Sequence, residues 1–184
     1  MMVFLDTEFT GLDAPDPLLI SVALVREDGE YLYAEVPPGQ YAYRASHWVR
    51  ENVMVHLWGG SYCQDLDTLA LNVQTWLKAI PEQVVILSDA PYYDMERMLK
   101  PLLHTWPANL HPQAMLFDRH ALGDGLRDLL ASERRRYYTH ATPEHHALHD
   151  AMALRQAWLK AQTLDGFAEY LARLHRAVSG PRPC

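Results

Sequence analysis

Cysteine, long apolar runs and an excess of positive charge are all missing from this sequence. Only two cysteines occur in 184 residues, Cys63 and the terminal Cys184. They form neither a CxxC pair nor a disulfide framework, so a thiolate metal cage and a stapled scaffold are not expected, and both thiols should stay reduced in a cytoplasmic setting. No apolar run reaches the ~18 residues that cross a bilayer. The opening Met1-Met2-Val3-Phe4-Leu5 meets Asp6 too early to read as a signal peptide. A soluble chain without membrane partners is expected. Lys and Arg number 16 against 23 Asp and Glu, a formal charge of −7, which argues against broad electrostatic binding to long duplex DNA. A nucleic-acid enzyme stays open, because carboxylates that hold divalent metals count as negative in the sequence and are neutralised in use. Repeats, linkers and low-complexity blocks are absent too, so residues 1–178 are expected to form one domain and 179–184 a flexible tail.

What is present is apolar: 49% of residues, enough for a sizeable core without disulfides or a structural metal. Val3-Phe4-Leu5 reads as a short buried strand running into Asp6-Thr7-Glu8-Phe9 and a turn at Thr10-Gly11-Leu12-Asp13. Leu18 to Val25 and Tyr31 to Val36 pair across a hairpin at Asp28-Gly29. Helical spacing follows at Ser46 to Leu57 and Leu66 to Ile80. Val84 to Leu87 suits an interior parallel strand, Asp94 to His104 a helix, and Met115 to Phe117 a last short strand. Thr142 is the expected cap of a helix with Pro143 at its first position, and a final helix is expected from Leu164 to Val178. A meander followed by strand–helix alternation implies an α/β fold, a mixed sheet flanked by helices.

Three groups could carry chemistry. Asp6 and Glu8 are two apart in a strand, so their carboxylates share one face at the downstream end, where open α/β sheets place ligands. Acids this close repel and are costly to bury unless a divalent cation lies between them; a bare pair also suits an exposed strand end. After Val84 to Leu87, either Asp89 or Asp94 could supply a further acid, and position alone does not choose. His145-His146-Ala147-Leu148-His149-Asp150 then sets three histidines and an acid within six residues. Imidazole titrates near neutral pH and can take a proton from water, with Asp150 as metal ligand. The plainer reading is an exposed histidine-rich helix face. Arg134, Arg135 and Arg136 with Tyr137 and Tyr138 could guide a phosphate backbone or form a solvated basic loop.

Asp6-Thr7-Glu8-Phe9-Thr10-Gly11-Leu12, Tyr93-Asp94 and His145-x-Ala147-Leu148-x-Asp150-Ala151 together resemble the three motifs of the DEDDh (DnaQ-like) 3′–5′ exonuclease superfamily. Trp48-Val49-Arg50 and the Tyr93-Asp94 form look like its small ribonuclease AS-type exoribonucleases. The second motif departs from the pattern, with Ser88-Asp89 where His-Asn is usual. The resemblance implies a ribonuclease H-like fold and release of nucleoside 5′-monophosphates from single-stranded or overhanging RNA or DNA 3′ ends, RNA being favoured. It implies two Mg²⁺ or Mn²⁺ ions on Asp6, Glu8, Asp94 and Asp150, and His145 as general base. Thr7, Phe9 and Leu12 would meet the terminal nucleotide, and a homodimer is implied as well. The histidine is in tension with the helix reading: a helix opening at Pro143 pairs His146 with Asp150, whereas the motif spacing selects His145.

Two other readings compete. One is a nucleic-acid-binding module that keeps the fold but has little activity. The other is an HD-type metal phosphohydrolase, suggested by His149-Asp150 and the four-residue spacing of His145 and His149; that fold is all helical and leaves Asp6 and Glu8 unexplained.

Overall fold

The N-terminal strand forms as β1 (Met2–Phe9) and becomes the centre of a five-stranded sheet in the computed structural model, which describes residues 1–117 and 124–172. β2 (Leu19–Arg26) and β3 (Tyr31–Glu35) follow antiparallel on one side of it; β4 (Val85–Ser88) and β5 (Met115–Leu116) lie parallel on the other. The order is β3-β2-β1-β4-β5. This is the mixed sheet of a ribonuclease H-like α/β fold, and it sets aside the all-helical HD-type reading.

The period of two along β1 decides which side chains meet which helix. Val3 and Leu5 enter one apolar cluster with α3 (Leu66–Ala79) and with Met95 and Leu99. Phe4 enters the other, against α6 (Ala147–Ala161). Fully burying an aliphatic or aromatic side chain contributes about 1.5–3 kcal/mol, so the clusters fix the register of β1 and aim every residue beyond Leu5. Trp158 anchors the second cluster at 1% exposure, edge-on to Phe4 and Phe117.

Several helices differ from their expected form. The stretch expected from Ser46 to Leu57 breaks: α2 spans His47–Asn52, capped by the Ser46 hydroxyl at 3.1 Å from the Val49 N–H, and a 3₁₀ turn covers Met54–His56. α1 (Pro38–Tyr41) is a short turn ahead of it. The segment after β4 is wound as a π helix over Tyr92–Leu99, closed by the Lys100 N–H on the Met95 carbonyl, and continues into α4 (Lys100–Leu102). α5 (Asp124–Tyr137) occupies a region without a helical assignment from the sequence, so the basic cluster sits mainly on a helix end and not in a solvated loop. Thr142 does not cap a helix. Its hydroxyl donates to the Tyr137 carbonyl at 2.7 Å, closing the turn after α5, and α6 begins only at Ala147. Helix resumes at 167–172; the rest of the expected final helix, the 179–184 tail and Cys184 lie outside the described residues. Among the described residues no helix is long and apolar enough to cross a membrane.

Candidate active site

Past Leu5 the strand face that carried Phe4 carries Asp6 and Glu8, so both acids turn toward the start of α6. Thr7 points the other way, to the π-wound segment. There its N–H and hydroxyl both donate to Asp94 Oδ1, at 3.1 and 2.7 Å, and the Ser88 hydroxyl at the end of β4 donates to Asp94 Oδ2 at 2.5 Å. Ser88 stands where the resembled motif has histidine; here it orients Asp94. Asp94 is 2% exposed and clamped by β1 and β4, and Asp89 lies beside it.

The two adjacent histidines part at the backbone. His145 is the one non-glycine residue with positive φ, 63°, among the described residues. Histidine tolerates that left-handed conformation better than most side chains, and its occurrence at a pocket is a mark of local constraint. The turn sends adjacent imidazoles apart. His145 lines the acidic cavity, with its ring 4.9 Å edge-on from Trp48, while His146 is fully buried 4.6 Å from the Tyr33 ring. The His145 N–H donates to Asp150 Oδ2 at 2.9 Å, and the Tyr138 hydroxyl donates to Asp150 Oδ1 at 2.5 Å.

One cavity of about 480 Å³ therefore gathers every residue singled out by the motifs: Asp6, Thr7, Glu8, Phe9, Leu12, Asp94, His145 and Asp150. It also takes in Asp89, Tyr93, Arg134 and Tyr138, which the motifs did not assign together. Phe9 stacks on Tyr93 at 5.5 Å, and Leu12, 63% exposed, stands at the rim. A second, more apolar hollow lined by Leu12, Trp48, Val49 and Val53 shares Glu8 and His145 with the first. Trp48 and Val49 therefore reach the site's border.

Carboxylates this dense resist ionising. Asp6 is held well above the usual carboxylate range, first by loss of water and then by Asp150, Asp94, Glu8 and Asp89. Glu8 is raised too, by burial and then by Asp150 and Asp94. Burial pushes Asp94 up to about 7, although the Ser88 and Thr7 hydrogen bonds pull the other way. Burial also raises Asp150 to about 6, tempered by Tyr138 and Arg134. A divalent cation removes this repulsion, and the donors suit one. Ligand atoms of Asp6, Asp89 and Asp94 lie within 4.8 Å of one another, and so do those of Glu8, His145 and Asp150. Oxygen-rich donor sets without thiols match hard ions such as Mg²⁺ and Mn²⁺.

No family model and no curated protein matches this sequence. Among solved structures, the chain is similar to the zinc-ion-bound Escherichia coli ExoI–ssDNA complex, with a TM-score of 0.54 and 13% identity. The match covers 94% of this chain but 42% of that one, so the chain spans less than half its length. At that identity the likeness shows the fold alone, a mixed sheet flanked by helices that here carries an acidic cluster whose donors could hold a metal.

Proposed function

We propose that this chain is a metal-dependent 3′–5′ exonuclease that removes nucleoside 5′-monophosphates from single-stranded or overhanging nucleic acid, with RNA preferred. The observation that carries the reading is the convergence of Asp6, Glu8, Asp94, His145 and Asp150, far apart in sequence, on one cavity with two sets of three ligand atoms. The similar solved structure is a complex with single-stranded DNA, which supports an unpaired strand as substrate. The preference for RNA rests on the resemblance of Trp48-Val49-Arg50 and Tyr93-Asp94 to the ribonuclease AS group.

Asp6, Glu8, Asp94 and Asp150 hold the metals in this reading. Two bound Mg²⁺ or Mn²⁺ ions supply the Lewis acidity that makes water nucleophilic at neutral pH and offsets charge on the departing 3′ oxygen. His145 takes the proton released by the attacking water. A new P–O bond forms on the terminal phosphate, the bond to the 3′ oxygen breaks, and that oxygen takes a proton from solvent water while His145 returns its own to solvent. Asp150 fixes the turn that aims His145, since the same carboxylate receives the His145 N–H. Thr7 and Phe9 lie along the terminal nucleotide. Leu12 packs on its base, a contact that any base can satisfy.

RNA and DNA oligomers of several lengths, labelled at the 5′ end and incubated with Mn²⁺, test the reading. Stepwise shortening from the 3′ end, faster on RNA and lost in Asp150→Ala, is the expected result. Equal rates on both sugars remove the RNA preference. Intact oligomers with wild-type protein favour the alternative, a binding module on the same fold.

A further inference from the structure

Two arginines line the acidic cavity, and they are placed differently. Arg135 is exposed at its rim, whereas the Arg134 side chain is only 14% exposed and ion-paired with Asp89. Arg134 also lies beside the Tyr138 hydroxyl, which donates to Asp150 at 2.5 Å. One line of contacts therefore runs from Asp89 through Arg134 and Tyr138 to Asp150 and the His145 backbone, and it touches both sets of ligand atoms. A guanidinium is planar, always charged and able to serve two oxygens at once, which an ammonium does less well.

Asp89 is close enough to Asp6 and Asp94 to share a cation with them, yet its carboxylate already has one. We propose that Arg134 is the resident counter-ion of this site: it engages Asp89 so that Asp6, Glu8, Asp94 and Asp150 remain for metal, and through Tyr138 it sets Asp150 before any metal arrives. Arg134 is then a positioning residue, and Asp89 is its partner and not a metal ligand. The inference rests on the reading of the cavity as a metal site. The electrostatics of the cluster agree: burial disfavours the Arg134 charge, but Asp89 and Tyr138 together hold the guanidinium above its ordinary pKa.

Thermal unfolding of the full chain at pH 8, in EDTA and in Mn²⁺, tests the proposal together with calorimetric Mn²⁺ titration. Arg134→Met should lower Tm in EDTA by about 5 °C, because it leaves the half-buried Asp89 carboxylate without its cation. Mn²⁺ should recover most of that loss, giving a larger metal-induced shift than in wild type. Arg134→Lys, which keeps the charge, should retain most of the metal-free Tm. Adding Asp89→Asn to Arg134→Met should restore it, a rescue that a packing role would not produce. Asp89→Asn alone should keep Mn²⁺ affinity within about threefold of wild type.

An unchanged metal-induced shift in Arg134→Met, or no rescue by Asp89→Asn, overturns the proposal. A loss of about 10- to 100-fold in Mn²⁺ affinity in Asp89→Asn does so as well, by making Asp89 a ligand. If Arg134→Met alone does not fold, the double variant decides: its folding supports the charge pairing, and its failure assigns Arg134 to packing. Absence of Mn²⁺ binding by wild type would defeat the metal-site reading, while the EDTA comparisons still judge the Arg134–Asp89 pair.

Discussion

One peptide bond separates two regions that keep ionisable groups neutral in different surroundings. On the His145 side, carboxylates crowd a polar cavity and are kept from ionising by their own proximity and by loss of water. On the His146 side, imidazoles are sealed among rings: His146 lies 4.4 Å from His149 and 4.7 Å from Trp58, and no nitrogen of either histidine has a hydrogen-bond partner. Burial pushes His146 down to about 4, with His149 adding to the effect, and lowers His149 also. The nest keeps its groups neutral and gains ring packing. The cavity resists charge, and a bound cation would remove that resistance. The left-handed turn at His145 is the border between them.

Exchanging the two histidines breaks or confirms this division. His145→Ala is expected to lower kcat by about 10²–10⁴-fold, with calorimetric Mn²⁺ binding largely preserved. His146→Ala should do the converse: near-normal turnover, but about 2–4 kcal/mol less stability in urea unfolding from the cavity it opens. If His146→Ala stops turnover and His145→Ala does not, the border is misplaced.

The pH dependence sharpens the same contrast. Between the ordinary carboxyl value near 3.8 and about 7, folded Asp94 binds more protons than the unfolded chain. Its contribution to stability therefore falls as pH rises through that window. In the nest, folded His146 binds fewer protons than the unfolded chain between about 4 and 6.5, so its contribution rises with pH there. In EDTA, Asp94→Asn should remove its own share of the fall, on the order of 4 kcal/mol, and leave the shares of Asp6, Glu8 and Asp150 and the rising component; Mn²⁺ should flatten the fall in wild type. Identical pH profiles for wild type and Asp94→Asn in EDTA would sink the cavity's half of the comparison. The smallest expected effect is on Asp6→Asn, which removes one repelling carboxylate. It should raise metal-free stability by about 1 kcal/mol while abolishing activity. A fall in metal-free stability would mean that Asp6 is satisfied without metal.

The sheet was legible because its signals are local. Val3 to Leu5, Leu18 to Val25 and Val84 to Leu87 are apolar runs bounded by turn residues, and each became a strand near its expected limits. Asp6 and Glu8 followed from strand alternation alone. The choice of Asp94 did not, because it depends on Thr7 and Ser88 meeting it across the sheet. α5 escaped because its inward stripe mixes Leu130 with Glu133 and Arg134, so apolar periodicity does not mark it. Thr142 and Pro143 carried a helix-start pattern, but the Thr142 hydroxyl was engaged by the preceding turn. That left Ala147 as the start and put His145 outside the helix.

The π winding of Tyr92–Leu99 has a consequence for length variation. A π turn stores surplus chain relative to an α turn, and here the slack lies beside Asp94 while Met95, Met98 and Leu99 stay packed below. Excising Glu96 or Arg97 would let the coil tighten to ordinary pitch with Met98 and Leu99 in their seats, but the buried Met95 would turn together with Asp94. The acid would swing about 100° around the axis, away from Thr7 and Ser88. A shortened turn here would therefore cost the Asp94 clamp before it cost the sheet.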